Sequence, residues 1–209
     1  SYEATFGNLQ GEKLDVNVTG NLTVHGVGGV EIPNGNLDIQ GNNITSSTTG
    51  NVSVGDSLKV YGNVWALGAD LAEKYRVDGE VEKGEIVSIS EEKDNAVERT
   101  TERYQDAVGI TSRNPGFVLN SGAEGVKVAL EGKVKVEVNT ENGEIERGDR
   151  IVPSSEPGVG MACEVWDPMQ RNETGIRKVV SHNEKCRSAT VGRALESTDQ
   201  NTEILVKIG

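Results

Sequence analysis

Aromatic side chains are scarce in this chain, at 4% of residues, so no cluster of large rings dominates a core. Histidine occurs twice, at His25 and His182, far apart in sequence, and cysteine occurs twice. No Cys-x-x-Cys or His-x-x-x-His spacing exists, which speaks against a metal centre, and no cofactor is expected. A Gly-x-Ser-x-Gly elbow, a phosphate loop and a His-Glu-x-x-His motif are all missing. A Ser-His-Asp triad would have to recruit one of the two histidines, one in a repeat and one in a cysteine-bounded loop. A basic excess is also lacking. The net charge is -12, which repels phosphate backbones and argues against a nucleic-acid partner. No apolar run reaches the roughly 18 residues of a membrane helix, so no membrane span is expected. No cleavable leader is legible at Ser1, and the expectation is a mature or trimmed form.

What the chain does have is glycine, 26 residues in 209, and much of it sits in a repeat. "GNLTVHG" begins at Gly20, "GNLDIQG" at Gly35, "GNVSVGD" at Gly50 and "GNVWALG" at Gly62, with looser copies at Lys13 and Asp56. Each unit carries alternating apolar residues, such as Leu22 and Val24 or Leu58 and Val60, so each reads as a short strand with one buried face. Gly-Asn supplies the corner because both residues tolerate positive φ. One unit cannot bury its face alone and must stack on neighbours or on other chains. Residues 1–68 therefore read as a β-solenoid or an intertwined β-stem. The competing reading is a flexible Gly/Asn linker.

From residue 69 the texture changes. Charged residues increase, and runs such as "EIVSIS", "AVERTT", "DAVGITS", "VKVALEGKVKVEVNT", "DRIVPS", "RKVVS", "ATVGRAL" and "EILVKIG" read as strands. Val126 to Val138 alternates almost without a break, with Glu131-Gly132 expected as a hairpin or bend. No window shows helical periodicity apart from one turn around Ala69 to Tyr75. "VEKGEIVSI" from Val81 echoes "IERGDRIVPS" from Ile145, which suggests pseudo-symmetric halves. The expected fold is all-β, with the stem followed by a barrel or sandwich over 69–209.

Cys163 and Cys186 bound a polar loop, 163–186. A disulfide there fits an oxidising compartment, and two free thiols are the alternative. Asn-x-Ser/Thr sequons occur at Asn17, Asn21, Asn43, Asn51 and Asn172, which favours an extracellular or cell-surface protein carrying N-glycans. Tyr2 and Phe6 lie outside the repeats and suit an anchor on a neighbouring copy.

Asp70 and Glu73 are the acids with a chemical alternative. Paired carboxylates divide acid and base roles when they share a face, which a helical turn allows and a strand does not. The competing role is structural: a joint in which a carboxylate accepts backbone N–H bonds or pairs with Lys74 or Arg76. "GADLAEKY", "GEIVSIS", "DAVGITSRNPGFVLN", "VALEGKVKVEV", "GDRIVPSSEPGVGMA" and "TVGRALES" together resemble the intramolecular-chaperone autocleavage domain of phage pre-neck appendages and tail spikes, and related domains of prokaryotic surface proteins. Its most specific pieces are Ala-Asp-x-Ala-Glu at 69–73 and Val-Gly-Ile-x-Ser-x-Asn-Pro at 108–115. The resemblance implies a domain that helps three chains assemble behind a repetitive stem, and it makes Asp70 and Glu73 candidate self-cleavage acids.

The residues taken together point to a structural subunit of an extracellular filament, fibre or sheath, whose partner is itself, as a trimer or a filament. A self-cleaving chaperone of a virion fibre is the rival expectation. A carbohydrate-binding fibre tip using Trp65 and Trp166 is a third, although an isolated Trp more often packs than stacks on sugar.

Overall fold

The computed structural model describes residues 54–55, 57–166 and 173–209. Asn17, Asn21, Asn43, Asn51, Asn172, Tyr2, Phe6, His25 and most of the Gly-Asn repeats lie outside the described residues. The chain divides into two compact units, 1–59 and 60–209, and the described strands all belong to the second.

Among its described residues, that unit is a ten-stranded mixed sheet with one helix. The strands are β1 (Asp70–Val77), β2 (Ile86–Ile89), β3 (Ala96–Arg99), β4 (Gly109–Thr111), β5 (Phe117–Leu119), β6 (Val126–Val138), β7 (Arg150–Pro153), β8 (Gly160–Ala162), β9 (Gly192–Ala194) and β10 (Thr202–Ile208). Helix α1 (Glu173–Ser188) lies between β8 and β9.

The pairings close on themselves twice. One circuit runs β6-β4-β2-β3-β1 and returns to β6. The other runs β6-β8-β7-β9-β10 and returns to β6. Long β6 belongs to both. Closure removes the unpaired edges that an open sheet would expose.

The two circuits are copies of one plan. In each, the first strand lies parallel to the third, β1 with β3 and β6 with β8, and the other pairs are antiparallel. The sequence echo is the turn that feeds the second strand. Glu82 N–H donates to Glu85 Oε2 at 2.7 Å, and Glu146 N–H donates to Asp149 Oδ2 at 2.8 Å. Gly84 N–H donates to Thr111 O at 3.0 Å, and Gly148 N–H to Ala194 O at 2.8 Å. Both glycines take positive φ, +91° and +96°, which the turn requires.

β6 changes partner at Gly132. Residues up to there pair with β1, and residues from there on pair with β10. Gly132 has φ +118°, and a Cβ on it would stand 2.4 Å from Ala69 O and 2.6 Å from Asp70 Cα. Gly132 is therefore the bend of one continuous strand, and no hairpin forms at Glu131-Gly132.

The core is aliphatic, as the lack of aromatics requires. Ile86, Ile110, Val136, Val138, Ile151, Ile204 and Val206 form a cluster drawn from both circuits, and Val87, Val97 and Val128 form a second. Met161, Val152 and Ala189 form a third, next to Cys163.

Three expectations are corrected. The run "RKVVS" is helical, not a strand. Val179 and Cys186 are both buried and stand seven residues apart, two turns on one face. Lys185 and Arg187 in the last turn complement the helix dipole, and Thr190 Oγ1 donates to Cys186 O at 2.7 Å at its end. The segment around Ala69 to Tyr75 is mainly strand β1, not a helical turn, because β6 supplies its ladder. Residues 57–66 form no strand within the chain, and Leu58, Val60 and Val64 are exposed; among the described residues no strand pairs with them.

Candidate functional site at the start of β1

β1 begins in a slot made by three glycines. Gly68 passes so close to Gly116 that a Cβ on Gly68 would stand 2.1 Å from Gly116 N. Gly132 closes the other side. Backbone bonds fix the strand on both flanks: Lys133 N–H donates to Ala69 O at 3.1 Å, and Gly116 N–H donates to Asp70 O at 2.8 Å. The two most specific motif pieces thus meet in space, since 108–115 leads directly into Gly116.

Strand alternation sends Asp70 and Ala72 inward, both buried, and Leu71 and Glu73 to the other face. Asp70 and Glu73 are not brought together. Burial pushes the Asp70 carboxyl above the usual carboxylate range, while the Ser112 hydroxyl, its own backbone amide and the Lys127 charge pull it down. Its Oδ2 is buried and has no hydrogen-bond partner among the described residues. Glu73 accepts a hydrogen bond from the Tyr75 hydroxyl at 3.2 Å. Burial, then the Glu73 charge, raise the Tyr75 phenol.

Lys74 does not pair with either acid. Its Nζ donates to Ala123 O at 2.9 Å, and Asn120 Nδ2 donates back to Lys74 O at 3.2 Å. These bonds tie the loop after β5 to β1. The chemistry open to this arrangement is that of one buried carboxyl beside a serine hydroxyl, against a peptide held on both sides. Sequence reading missed Ser112, Gly116 and Gly132 as its neighbours. The first two were visible only as parts of the run "DAVGITSRNPGFVLN".

The cysteines are bonded, with Cα atoms 5.9 Å apart and a sequence separation of 23. The bond fastens α1 to the segment after β8. Asn183 holds Trp166 by two backbone bonds, accepting from its N–H and donating to its O, each at 3.0 Å. His182 stacks on the Trp166 ring with centroids 3.9 Å apart and meets Tyr104 edge-on at 5.3 Å. That ring face is used in packing. Trp65, in contrast, is exposed.

No protein-family model and no curated protein matches the chain. Solved structures similar to it include two from bacteriophage phi29. The pre-mature gene product 12 of bacteriophage phi29 is 13% identical with a TM-score of 0.49; the match covers 75% of this chain and 23% of that one. The N base of the phi29 head fibre gp8.5 is 14% identical with a TM-score of 0.34, over 66% of this chain and 92% of that one. The chain thus spans under a quarter of the first protein's length, and both likenesses are too distant to assign a role.

Proposed function

We propose that this chain is a structural subunit of an extracellular filament, fibre or sheath that assembles with copies of itself. The observation that carries the reading is the segment before β1. Val60, Val64, Trp65 and Leu67 are all exposed, on a unit whose described strands, β5 apart, close into circuits. A run of exposed apolar residues of this kind marks an interaction surface. The Gly-Asn repeats upstream supply more one-faced units that need stacking partners. The disulfide and the sequons at Asn17, Asn21, Asn43, Asn51 and Asn172 support an extracellular setting with N-glycans. Residues 1–68 serve as the stem in this reading, and 69–209 as the body. Electron micrographs and light scattering of the purified chain test it: fibres or discrete trimers are expected, and a single-chain species at all concentrations refutes it.

A second reading, self-cleavage at the joint of a virion-type fibre, is favoured by one observation. The Asp70 Oδ2 is buried without a partner among the described residues, and the Ser112 hydroxyl lies beside that carboxyl. Such orphaned groups are uncommon in structural positions. Intact mass after refolding decides between the two. The structural reading requires an unchanged chain, and a fragment beginning close to Asp70, abolished by Asp70→Asn, would establish cleavage.

A further inference from the structure

We infer that the outer edge of β5 is the docking site for residues 60–67 of a second copy of this chain. The inference rests on the self-assembly proposed above and names the surfaces that carry it. β5 is the one described strand outside both circuits, and it pairs with β1 alone. Proteins usually blunt such an edge with charge, proline or a bulge. β5 reads Phe117-Val118-Leu119 and carries none of these. Phe117 is 50% exposed and Leu119 48%. The edge is also held rigid at both ends, by Gly116 against Gly68 and Asp70, and by Asn120 and Ala123 against Lys74. A strand fixed before binding loses little entropy when a partner pairs with it.

The complementary half is present in the same molecule. Residues 60–67 are rich in strand formers, have no strand pairing among the described residues, and include Trp65 at 89% exposure. They cannot lie along their own β5 without folding back. β5 runs parallel to β1 and starts beside Leu71, so the segment ends at Gly68 before β5 begins. A second copy has no such restriction. Its segment can run along Phe117–Leu119 and cover those side chains with Val64, Trp65 and Leu67, by the β-augmentation mode. Edge and segment are different surfaces, so the contact is head-to-tail and closes into a ring or continues as a filament.

Cross-linking between two singly substituted chains tests this directly. Val64→Cys and Leu119→Cys chains are refolded together at full length and oxidised. The expected product is a mixed dimer joined between positions 64 and 119, identified by mass spectrometry. Gly143→Cys, on a turn far from any Cβ neighbour, replaces Leu119→Cys in the control and should give none. In parallel, Phe117→Lys with Leu119→Lys should weaken assembly by about tenfold or more, read as the concentration of half-assembly by light scattering. Phe117→Thr with Leu119→Thr keeps strand propensity and should give the same direction if the lysine variant misfolds. If wild type assembles but no 64–119 link forms and both double variants assemble normally, the docking site is wrong and self-assembly stands. If wild type remains a single chain at every concentration, both fall.

Discussion

Replacing Gly132 by alanine isolates what the shared strand demands. Two effects act at this position. The φ of +118° belongs to a region that essentially only glycine occupies, which costs about 1–3 kcal/mol for a residue with a side chain. The new Cβ would also stand 2.4 Å from Ala69 O and 2.6 Å from Asp70 Cα. Both contacts are with backbone, which cannot swing aside as a side chain would. β1 must shift from β6, straining the Lys133-to-Ala69 hydrogen bond at 3.1 Å and disturbing the paired start of the strand. A net loss of about 0.5–1.5 kcal/mol for that bond brings the expected destabilisation to roughly 1.5–4.5 kcal/mol. Gly143→Ala is the matched control. Its φ is +94°, but a Cβ there meets nothing within 4 Å, so only the conformational part, about 1–3 kcal/mol, applies. The assay is chemical denaturation of both full-length variants at one fixed chain concentration, because assembly would otherwise shift the midpoint. If Gly132→Ala and Gly143→Ala lose the same stability within error, the close approach of β1 to β6 is not what fixes glycine at 132, and the bend reasoning fails.

Reduction of Cys163–Cys186 should destabilise the second unit by roughly 3 kcal/mol, the chain-entropy value for a loop of this order. Alkylation and mass spectrometry without reductant should find no modified thiol, and labelling of both would refute the bond. Asp70→Asn should raise the melting temperature at pH 7. The folded carboxyl is raised above its ordinary value of 3.8, so its favourable contribution is complete below that value and is lost as pH rises through the folded pKa. The advantage of the variant should therefore fade on acidification towards pH 3.8. A lower melting temperature at pH 7 would mean that the ionised carboxylate is needed where it lies.

Much of the second unit was legible in the residues. The alternation of Val126 to Val138 marked β6, and the copied turns at 81–85 and 145–149 announced two related halves before any strand was paired. Those signals are local: a strand's period of two, and a glycine between acids that turns the chain. β5 and β8, at three residues each, are too short to show a period. The Val179-Val180 pair looks like strand and becomes helix because Cys186, two turns on, is buried on the same face as Val179. Gly132 is the clearest division between the two levels. The sequence by itself determined that the backbone at Glu131-Gly132 departs from a straight strand. Whether it reverses or bends was decided by its partners, β1 on one half and β10 on the other, which lie more than 50 residues away on either side. Asp70 follows the same rule. Its chemistry is set by Ser112, Gly116 and Gly132, which reach it only when the first circuit closes, because hydrogen-bonded closure is a property of strand pairing and not of any stretch of chain.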